Sequence, residues 1–258
     1  MAETLLQIRG LARSFYGVQA LRGVDLDVTV GNLTGLIGPN GSGKTTLFNC
    51  VSGLLVPDAG KVIFAGHDVT GWRADRIARA GLVRSFQIAR GFPRLSVLEN
   101  LLLYGRDQPG EGVGPALLRT AAARRREAEL RERAETVARR LELSAVLGHG
   151  AAELSGGQKK LLEIARALMA QPRLMLLDEP VAGVNPTLAQ AIGDHLRGLV
   201  ADGMTIFLIE HHMDTIARIC DRVVVLADGQ PLAAGNFAAI AEDERVQEAY
   251  MGRRRWVA

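Results

Sequence analysis

A glycine-rich loop lies between a predicted strand and a predicted helix near the start of the chain. The loop, Gly38–Thr46, fits the pattern of a phosphate-binding loop, in which a glycine is followed at a fixed spacing by Gly-Lys-Ser/Thr. Leu33–Ile37 before it is an apolar run of strand length, and Lys44–Leu54 after it has helical character. Glycines let the backbone turn several N–H groups toward one anion, and the positive end of the helix dipole favours the same anion. The sequence therefore predicts an α/β fold with a phosphate site rather than an ordinary glycine-rich turn.

Four side chains at two places in the sequence add chemistry to this site. Lys44 brings a positive charge to the outer phosphates, and the Thr45 hydroxyl is placed to bind a magnesium ion. Leu174–Leu177 is a predicted apolar strand that ends in Asp178 and Glu179. Because ligands of parallel α/β sheets bind at the carboxyl ends of strands, we expect Asp178 to hold magnesium, directly or through water. We expect Glu179 to polarise a water for attack on the terminal phosphorus.

The composition excludes several classes of protein. The chain has 258 residues, enough for one large domain or a domain with a subdomain. Its 31 basic and 28 acidic residues give a net charge of +3, which does not indicate a nucleic-acid-binding surface. No apolar run approaches the ~20 residues needed to span a bilayer, and no signal peptide is visible. We expect Cys50 and Cys220 to be reduced thiols of a cytoplasmic protein.

The order of predicted elements favours a mostly parallel sheet covered on both faces. Helix Leu188–Val200 lies between strands Leu174–Leu177 and Thr205–Ile209, and strand Val223–Leu226 follows. Other predicted elements are strands Leu5–Arg9, Val24–Val28 and Lys61–Ala65, and helices Leu117–Leu143 and Lys159–Ala170. The first thirty residues therefore look like a separate β-structure, and the middle of the chain looks helical.

A second motif, Leu154–Gln158, contains a glycine pair directly before a helical run. Ser155 is suited to cap that helix, and a glycine pair at a helix start is another geometry that binds anions. By itself the motif fits a capped helix with a flexible entry equally well. With the glycine loop, it gives the chain two candidate phosphate sites.

Taken in this order and spacing, the motifs resemble the ATP-binding cassette of ABC transporters. In that family Leu154–Gln158 is the signature motif, which contacts a nucleotide held by the glycine loop of an opposing subunit. The resemblance implies one domain, 1–258, with a RecA-like P-loop NTPase core, an antiparallel β subdomain and an α-helical subdomain. It places the core and β subdomain at about 1–72 and 171–258, and the helical subdomain at about 73–170.

Further roles are implied by the same resemblance. Gln87 matches the Q-loop glutamine, which senses magnesium and the attacking water. His211 matches the switch histidine that reaches the terminal phosphate, and the neighbouring His212 stands where related cassettes often have Asp. Phe15 matches the aromatic residue that stacks on adenine, with Tyr16 as the alternative.

Together, these residues make up the expected site. Catalysis is assigned to Glu179, His211 and Gln87. Magnesium binding is assigned to Thr45, Gln87 and Asp178. ATP binding is assigned to Phe15 or Tyr16, Asn40, Gly41, Ser42, Gly43, Lys44, Thr45, Thr46, Ser155, Gly156, Gly157 and Gln158.

A narrower resemblance is to the ATPases of branched-chain (hydrophobic) amino acid importers. It rests on Thr45–Cys50, Val83–Gln87, Ala182–Pro186 (the D-loop, with Asn185 where Asp is frequent), Ile209–Met213 and Val246–Gly252. It implies a peripheral subunit on the cytoplasmic face of the inner membrane. Its partners would be a second ABC ATPase, identical or different, membrane permease subunits and, indirectly, an external solute-binding protein.

Three alternatives to amino acid import follow from the same motifs. Related cassettes serve urea and short-chain amides. Soluble ABC ATPases act on nucleic acid, but usually carry a coiled-coil insertion, tandem cassettes or a basic patch. A P-loop kinase would need neither the signature motif nor the switch histidine.

The segment Arg90–Asn100 is the expected docking region for the permease, and core packing of Leu95, Val97 and Leu98 is a compatible second reading.

Overall fold

The computed structural model describes residues 3–85, 92–106 and 121–251. Its strands are β1 (Thr4–Phe15), β2 (Val18–Thr29), β3 (Leu33–Ile37), β4 (Ala59–Phe64), β5 (His67–Asp68), β6 (Leu82–Arg84), β7 (Leu174–Asp178), β8 (Thr205–Ile209), β9 (Arg222–Ala227) and β10 (Gln230–Gly235). Its α-helices are α1 (Lys44–Val51), α2 (Ala74–Ala80), α3 (Val97–Leu103), α4 (Ala121–Arg140), α5 (Gly156–Met169), α6 (Pro186–Ala201), α7 (Met213–Ile219), α8 (Phe237–Glu242) and α9 (Glu244–Met251). Two short 3-10 helices, Ser144–Val146 and Ala151–Glu153, lie between α4 and α5.

These residues form two compact units. One contains the described residues of Met1–Arg84 and Arg173–Ala258 and holds both sheets. The other contains those of Ser85–Pro172 and is helical. The helix α2 and the strand β6 lie in the first unit, although the sequence grouped residues from about 73 onward with the helical part. The reason is strand pairing, since β6 runs parallel to β7.

The main sheet has six strands in the order β10-β9-β3-β8-β7-β6. Its strands are parallel except β10, which pairs antiparallel with β9. All residues of β3, β7 and β8 are buried. Continuous apolar runs of this kind are typical of parallel strands that are covered on both faces. The predicted parallel α/β core is confirmed.

The second sheet is antiparallel, with strand order β2-β1-β4-β5. Its two long strands extend well beyond the predicted Leu5–Arg9 and Val24–Val28. Gly10 and Gly23 have positive φ, and the β1–β2 register shifts around Gly10, so the glycines act as bulges within the strands. The alternation of apolar and polar residues is interrupted at such a glycine, which is then taken as the end of a strand. Both predicted strands were too short for that reason.

One hydrophobic cluster joins the two sheets through α1. It includes Ile8 and Phe64 from the antiparallel sheet, Phe48 from α1, and Phe207 from β8. The rings of Phe48 and Phe207 are 4.9 Å apart between centroids and inclined by 53°, a favourable geometry for an aromatic pair. Because α1 begins within the glycine loop, this packing holds the loop against the end of the main sheet.

In the helical unit, α3, α4 and α5 pack against one another. The helix α3 begins with a capping box, in which Ser96 Oγ accepts the N–H of Glu99 and the Glu99 carboxylate accepts the N–H of Ser96. The helix α4 ends at Arg140, three residues before the predicted end at Leu143. Glu142, which lies between these two positions, has positive φ. The first residues of that predicted helix, 117–120, lie outside the described residues.

Local chemistry explains the other differences in helix bounds. The helix α1 ends at Val51 rather than Leu54, because Gly53 adopts φ +73°. The helix α5 begins at Gly156, earlier than the predicted Lys159, directly after its cap Ser155. Within the described residues, we find no helix that combines the length and the apolar character needed to cross a bilayer.

Both cysteines are free thiols that lie largely inside the first unit. Burial raises the pKa of Cys50 to about 11 and that of Cys220 to about 12. Both therefore remain protonated and unreactive near neutral pH.

The aromatic pair beneath the glycine loop generates a prediction about stability. Phe207→Ala is expected to lower the free energy of unfolding by about 3–5 kcal/mol, because it opens a cavity in a fully buried cluster. Urea denaturation measures this difference. Tyr16→Ala removes an aromatic ring at a fully exposed position of the same unit, and should change the value by no more than ~0.5 kcal/mol. Equal losses in the two variants would contradict the packing argument.

Candidate functional site

Three neighbouring parallel strands end at the same edge of the main sheet. The central strand β8 pairs with both neighbours, so that Ile209 lies opposite Leu36 of β3 and Asp178 of β7. The glycine loop follows β3, Glu179 follows β7, and His211 comes two residues after β8. The sheet therefore brings three distant sequence motifs to one edge, where parallel α/β sheets bind their ligands.

The Lys44 ammonium lies inside the glycine loop and is only 6% exposed. Its Nζ donates to the carbonyl oxygens of Gly38 at 2.8 Å and Pro39 at 2.9 Å. Burial lowers the pKa of Lys44, while the nearby carboxylates of Glu179 and Asp178 act in the opposite direction. Since an ammonium has three donors, the two carbonyls leave one for an anion in the loop.

Two glycines of the loop are required by the backbone itself. Gly43 has φ +100°, and a Cβ added there would clash with the carbonyl oxygen of Ala20. Gly38 has φ +150°, and its Cβ would clash with the carbonyl oxygen of Leu226. The loop therefore keeps its shape only with glycine at both positions.

A cavity of about 250 Å³ opens over the loop. Its lining residues are Ala20, Asn40, Gly41, Gly43, Lys44, Thr45, Thr46, Glu179, Ile209 and His211. Most of the expected phosphate-binding residues face this one space. Ser42 does not line it, because its side chain is buried within the loop.

Glu179 and His211 meet across the cavity. His211 Nε2 lies 3.1 Å from Glu179 Oε1, and both side chains are partly exposed. Glu179 has φ +50°, a left-handed conformation that is unfavourable for residues other than glycine. Strained backbone of this kind clusters at functional sites. His212 does not line the cavity and instead occupies the N-cap position of α7.

The two candidate adenine-stacking residues lie at the β1–β2 turn. Tyr16 and Gly17 both have positive φ and form the two-residue turn, which leaves Tyr16 fully exposed at its tip. Phe15 is the last residue of β1, is partly exposed, and lies 5.1 Å from the Arg13 guanidinium. Neither ring is among the residues that line the cavity.

In the helical unit, the signature motif forms a complete capping box at the start of α5. Ser155 Oγ accepts the N–H of Gln158 at 3.3 Å, and Gln158 Oε1 accepts the N–H of Ser155 at 3.0 Å. Ser155 and Gly156 are exposed, and Gly157 is buried. The predicted N-cap is confirmed, and the motif presents Ser155 and Gly156 to solvent.

Asn185 and Gln87 are two further positions for which the sequence predicted a role. Asn185 accepts the N–H of Leu188 at 2.9 Å and caps α6, with Pro186 as the first residue of that helix. Asn caps as well as Asp does, so the departure from the frequent D-loop residue leaves the helix start intact. Gln87 lies outside the described residues.

The comparison with known protein families decides among the classes that this cavity permits. A family model described as "ABC transporter" matches residues 21–182. The chain belongs to the ABC transporter family. The match includes the glycine loop, the signature motif, Asp178 and Glu179 of this cassette.

Similar proteins match almost the whole cassette. A probable branched-chain amino acid transport ATP-binding protein LivG from Archaeoglobus fulgidus is 39% identical, over 96% of this chain and 95% of that protein. The high-affinity branched-chain amino acid transport ATP-binding protein LivG from Escherichia coli K12 is 38% identical, over 98% of this chain and 99% of that protein. A solved ATP-binding cassette of an ABC transporter, in its ADP conformation, superposes with a TM-score of 0.85. It is 38% identical, over 96% of this chain and 99% of the other.

Sequence reasoning missed Arg84, which is buried beside the cassette's Asp178. Arg84 Nη2 donates to Asp178 Oδ2 at 2.7 Å, and Arg84 Nη1 donates to Asn49 Oδ1 of α1 at 2.6 Å. The side chains of Arg84 and Asp178 are 9% and 5% exposed. One guanidinium therefore links the ends of β6 and β7 to the helix that follows the glycine loop. Only the position of Arg84 just before Gln87 hinted at a role.

Tyr250 of α9 is a second residue that sequence reasoning did not assign to the site. Its hydroxyl interacts with the backbone of Gly38, and burial raises the pKa of Tyr250 to about 12. The last described helix thus contacts the first residue of the glycine loop.

The buried ion pair generates a prediction that a double-mutant cycle tests. Arg84→Met is expected to lower the free energy of unfolding by about 3–5 kcal/mol, because it leaves the Asp178 carboxylate buried without its counter-charge. In the Asp178→Asn background the same substitution should cost at least ~0.5 kcal/mol less. Chemical denaturation without nucleotide or magnesium measures all four proteins. Strictly additive losses would contradict a direct Arg84–Asp178 interaction.

Proposed function

We propose that this chain is the ATP-hydrolysing subunit that energises an ABC importer, and that the cargo is a branched-chain or other hydrophobic amino acid. The observation that carries the proposal is the cavity in which Lys44, Glu179 and His211 face one another at the edge of the parallel sheet. The cargo is supported by the near full-length similarity to branched-chain amino acid transport ATP-binding proteins.

In this proposal the glycine loop holds the phosphates of ATP. Asn40, Gly41, Gly43 and Thr46 line the cavity together with Lys44, whose charge is directed to the outer phosphates. Phe15 is the better placed of the two candidate adenine contacts, since it ends a paired strand whereas Tyr16 forms the turn tip. The backbone N–H groups bind charge without moving, because α1 is packed into the core.

Glu179 and His211 then carry out the hydrolytic step. The Glu179 carboxylate orients a water and accepts its proton as the oxygen attacks the terminal phosphorus, while the bond from that phosphorus to the bridging oxygen breaks and ADP leaves. His211 contacts Glu179 at 3.1 Å and holds the carboxylate toward the cavity. Gln87 is assigned to the same water from the resemblance alone.

Magnesium fits the donors that are present. Within residues 3–85, 92–106 and 121–251, no cluster of three or more His, Cys, Asp or Glu side chains is arranged to hold a metal ion. Mg²⁺ is commonly held by one or two protein oxygens together with substrate phosphates and waters. The Thr45 hydroxyl would be one such oxygen, since Thr45 lines the cavity. Asp178, which does not line the cavity and whose Oδ2 accepts from Arg84, would supply its other carboxylate oxygen, directly or through water. When bound, the ion would neutralise charge on the outer phosphates.

A second ABC ATPase subunit, identical or different, completes each site in this proposal. Its Ser155–Gln158 segment would contact the ATP held by the first chain, and the reverse contact would form a second site. The support is the exposure of Ser155 and Gly156 at the start of a well-capped helix. The helix start offers N–H groups and a positive dipole end to an anion.

The permease is proposed to dock on the segment that includes Phe92, on the cytoplasmic face of the inner membrane. The support is that Phe92 is 53% exposed and offers an apolar side chain to a partner, whereas Val97 is fully buried and packs in the core. Asn100 holds the segment in place, because its Nδ2 donates to the carbonyl oxygens of Phe92 at 3.0 Å and Leu95 at 3.2 Å. Arg90 and Gly91 lie outside the described residues.

The proposed partners also distinguish this function from the alternatives. An importer would join the chain to permease subunits and, indirectly, to an external solute-binding protein. Urea or short-chain amides remain the alternative cargo. A role on nucleic acid is disfavoured by the net charge of +3 on 258 residues.

Glu179→Gln is the variant that tests the assignment of the base. It should bind ATP as the unaltered chain does and lose roughly 10²–10⁴-fold in turnover, because the amide cannot accept the proton. Steady-state hydrolysis and equilibrium binding of ATP measure the two effects separately. Near-normal turnover would remove Glu179 as the base.

Ser155→Arg, in the helical unit, is the variant that tests the shared site. It should leave ATP binding by the single chain intact, because the glycine loop is unchanged. In the Glu179→Gln background it should abolish the ATP-dependent dimer that Glu179→Gln alone accumulates with the second ABC ATPase, identical or different, as measured by light scattering with that subunit present. An unchanged dimer would contradict the shared site.

Co-purification tests the transport role itself. Tagged Glu179→Gln chain, recovered with ATP from detergent-solubilised membranes of the source cells, is expected to bring two polytopic membrane subunits and a second ABC ATPase. Mass spectrometry identifies them. Recovery of only soluble or nucleic-acid-bound partners would overturn the transport role and leave the ATPase assignment standing.

A further inference from the structure

Glu210 is a buried carboxylate that no part of the proposed chemistry uses. It follows β8 directly, is 1% exposed, and precedes His211. A buried carboxylate is costly unless hydrogen bonds satisfy it. Its surroundings therefore reveal what it does in the fold.

Both oxygens of Glu210 accept hydrogen bonds from backbone N–H groups. Oε1 accepts the N–H of Val181 at 3.0 Å. Oε2 accepts the N–H of His211 at 2.8 Å and that of His212 at 3.2 Å. The first donor lies directly before the D-loop, two residues after Glu179, and the other two belong to the segment that carries the switch histidine.

We propose that Glu210 is a positioning residue that couples the D-loop to the His211–Glu179 contact. Its carboxylate bridges two chain segments that each deliver one of the reacting side chains. The contact of 3.1 Å between His211 Nε2 and Glu179 Oε1 joins the same two segments a second time. A displacement of Val181 is therefore transmitted through Glu210 to the backbone of His211.

The chemistry of the side chain explains why a carboxylate suits this position. Three N–H donors converge on it, and an ionised carboxylate is an acceptor at both oxygens. An amide would turn an NH₂ group toward at least one of those donors and lose that bond. A shorter acid would keep the charge but would not reach both segments.

This inference rests on the proposed ATP hydrolysis, so its test includes a measurement that does not require turnover. Amide hydrogen exchange by NMR reads the three bonds directly in the full chain. In Glu210→Gln, the amides on the side to which the NH₂ group turns are expected to lose protection: that of Val181, or those of His211 and His212. Retained protection at all three would overturn the proposal whether or not the chain hydrolyses ATP.

Kinetics provide the second part of the test. Glu210→Gln is expected to lower kcat roughly 10–100-fold, because a displacement of about 1 Å at a reacting group has effects of that size. The KM for ATP should stay within about threefold, since the glycine loop is untouched. Failure of the unaltered chain to hydrolyse ATP would contradict the proposed function, whereas normal kcat in Glu210→Gln would contradict only this inference.

Asp221→Asn is the matched control. Asp221 also accepts a backbone N–H of the main sheet, that of Leu33 at 2.8 Å, but it lies at the opposite edge, where β3 begins. This variant should keep a normal kcat even if its free energy of unfolding falls. Equal kcat losses in the two variants, in proportion to lost stability, would show a merely structural role for Glu210.

Glu210→Asp is the variant to measure in the same test if Glu210→Gln does not fold. It keeps the negative charge and shortens the side chain by one methylene group. The same loss of kcat at constant KM is expected, with protection lost at Val181 or at His211 and His212 but not at both segments. A normal kcat with all three amides protected would overturn the coupling.

Discussion

The in-register pairing of β3, β8 and β7 is the constraint on which the rest of the structure depends. Ile209 lies level with Leu36 and Asp178, so the residues that follow the three strands share one edge. A slip of one residue would turn every side chain of a strand to the opposite face of the sheet. All residues of these strands are buried, so such a slip would force the core to repack on both faces of the sheet. Core packing and the geometry of the site thus have the same cause.

The site is built from buried charges, each of which the fold compensates in a different way. Loop carbonyls accept from Lys44, Arg84 pairs with Asp178, and backbone N–H groups satisfy Glu210. Removing such groups from water costs free energy, and the cost is offset only where the partners are fixed in place. Groups held in this way do not need to reorganise during a reaction, and this preorganisation is the main electrostatic contribution to catalysis.

The parts of the site that could be predicted are those encoded over a few neighbouring residues. The glycine loop, the cap at Ser155 and the two acids at the end of β7 each carry their own local signal. Arg84 and Glu210 carry none, because the side chain of the first meets a residue 94 positions away and that of the second meets one 29 positions away. The same limit applies to β1, whose length depends on pairing across the bulge at Gly10.

By itself, the sequence determined the α/β class, the phosphate loop, the mostly parallel character of the core sheet and the resemblance to ABC cassettes. These follow from short motifs and from apolar strand segments that alternate with helical segments, which are local signals. Only the tertiary structure decided that His211 rather than His212 faces Glu179, that Asp178 is paired with Arg84, and that Glu210 bridges two segments. Those contacts join residues far apart in the chain, and strand pairing and packing alone bring them within hydrogen-bonding distance.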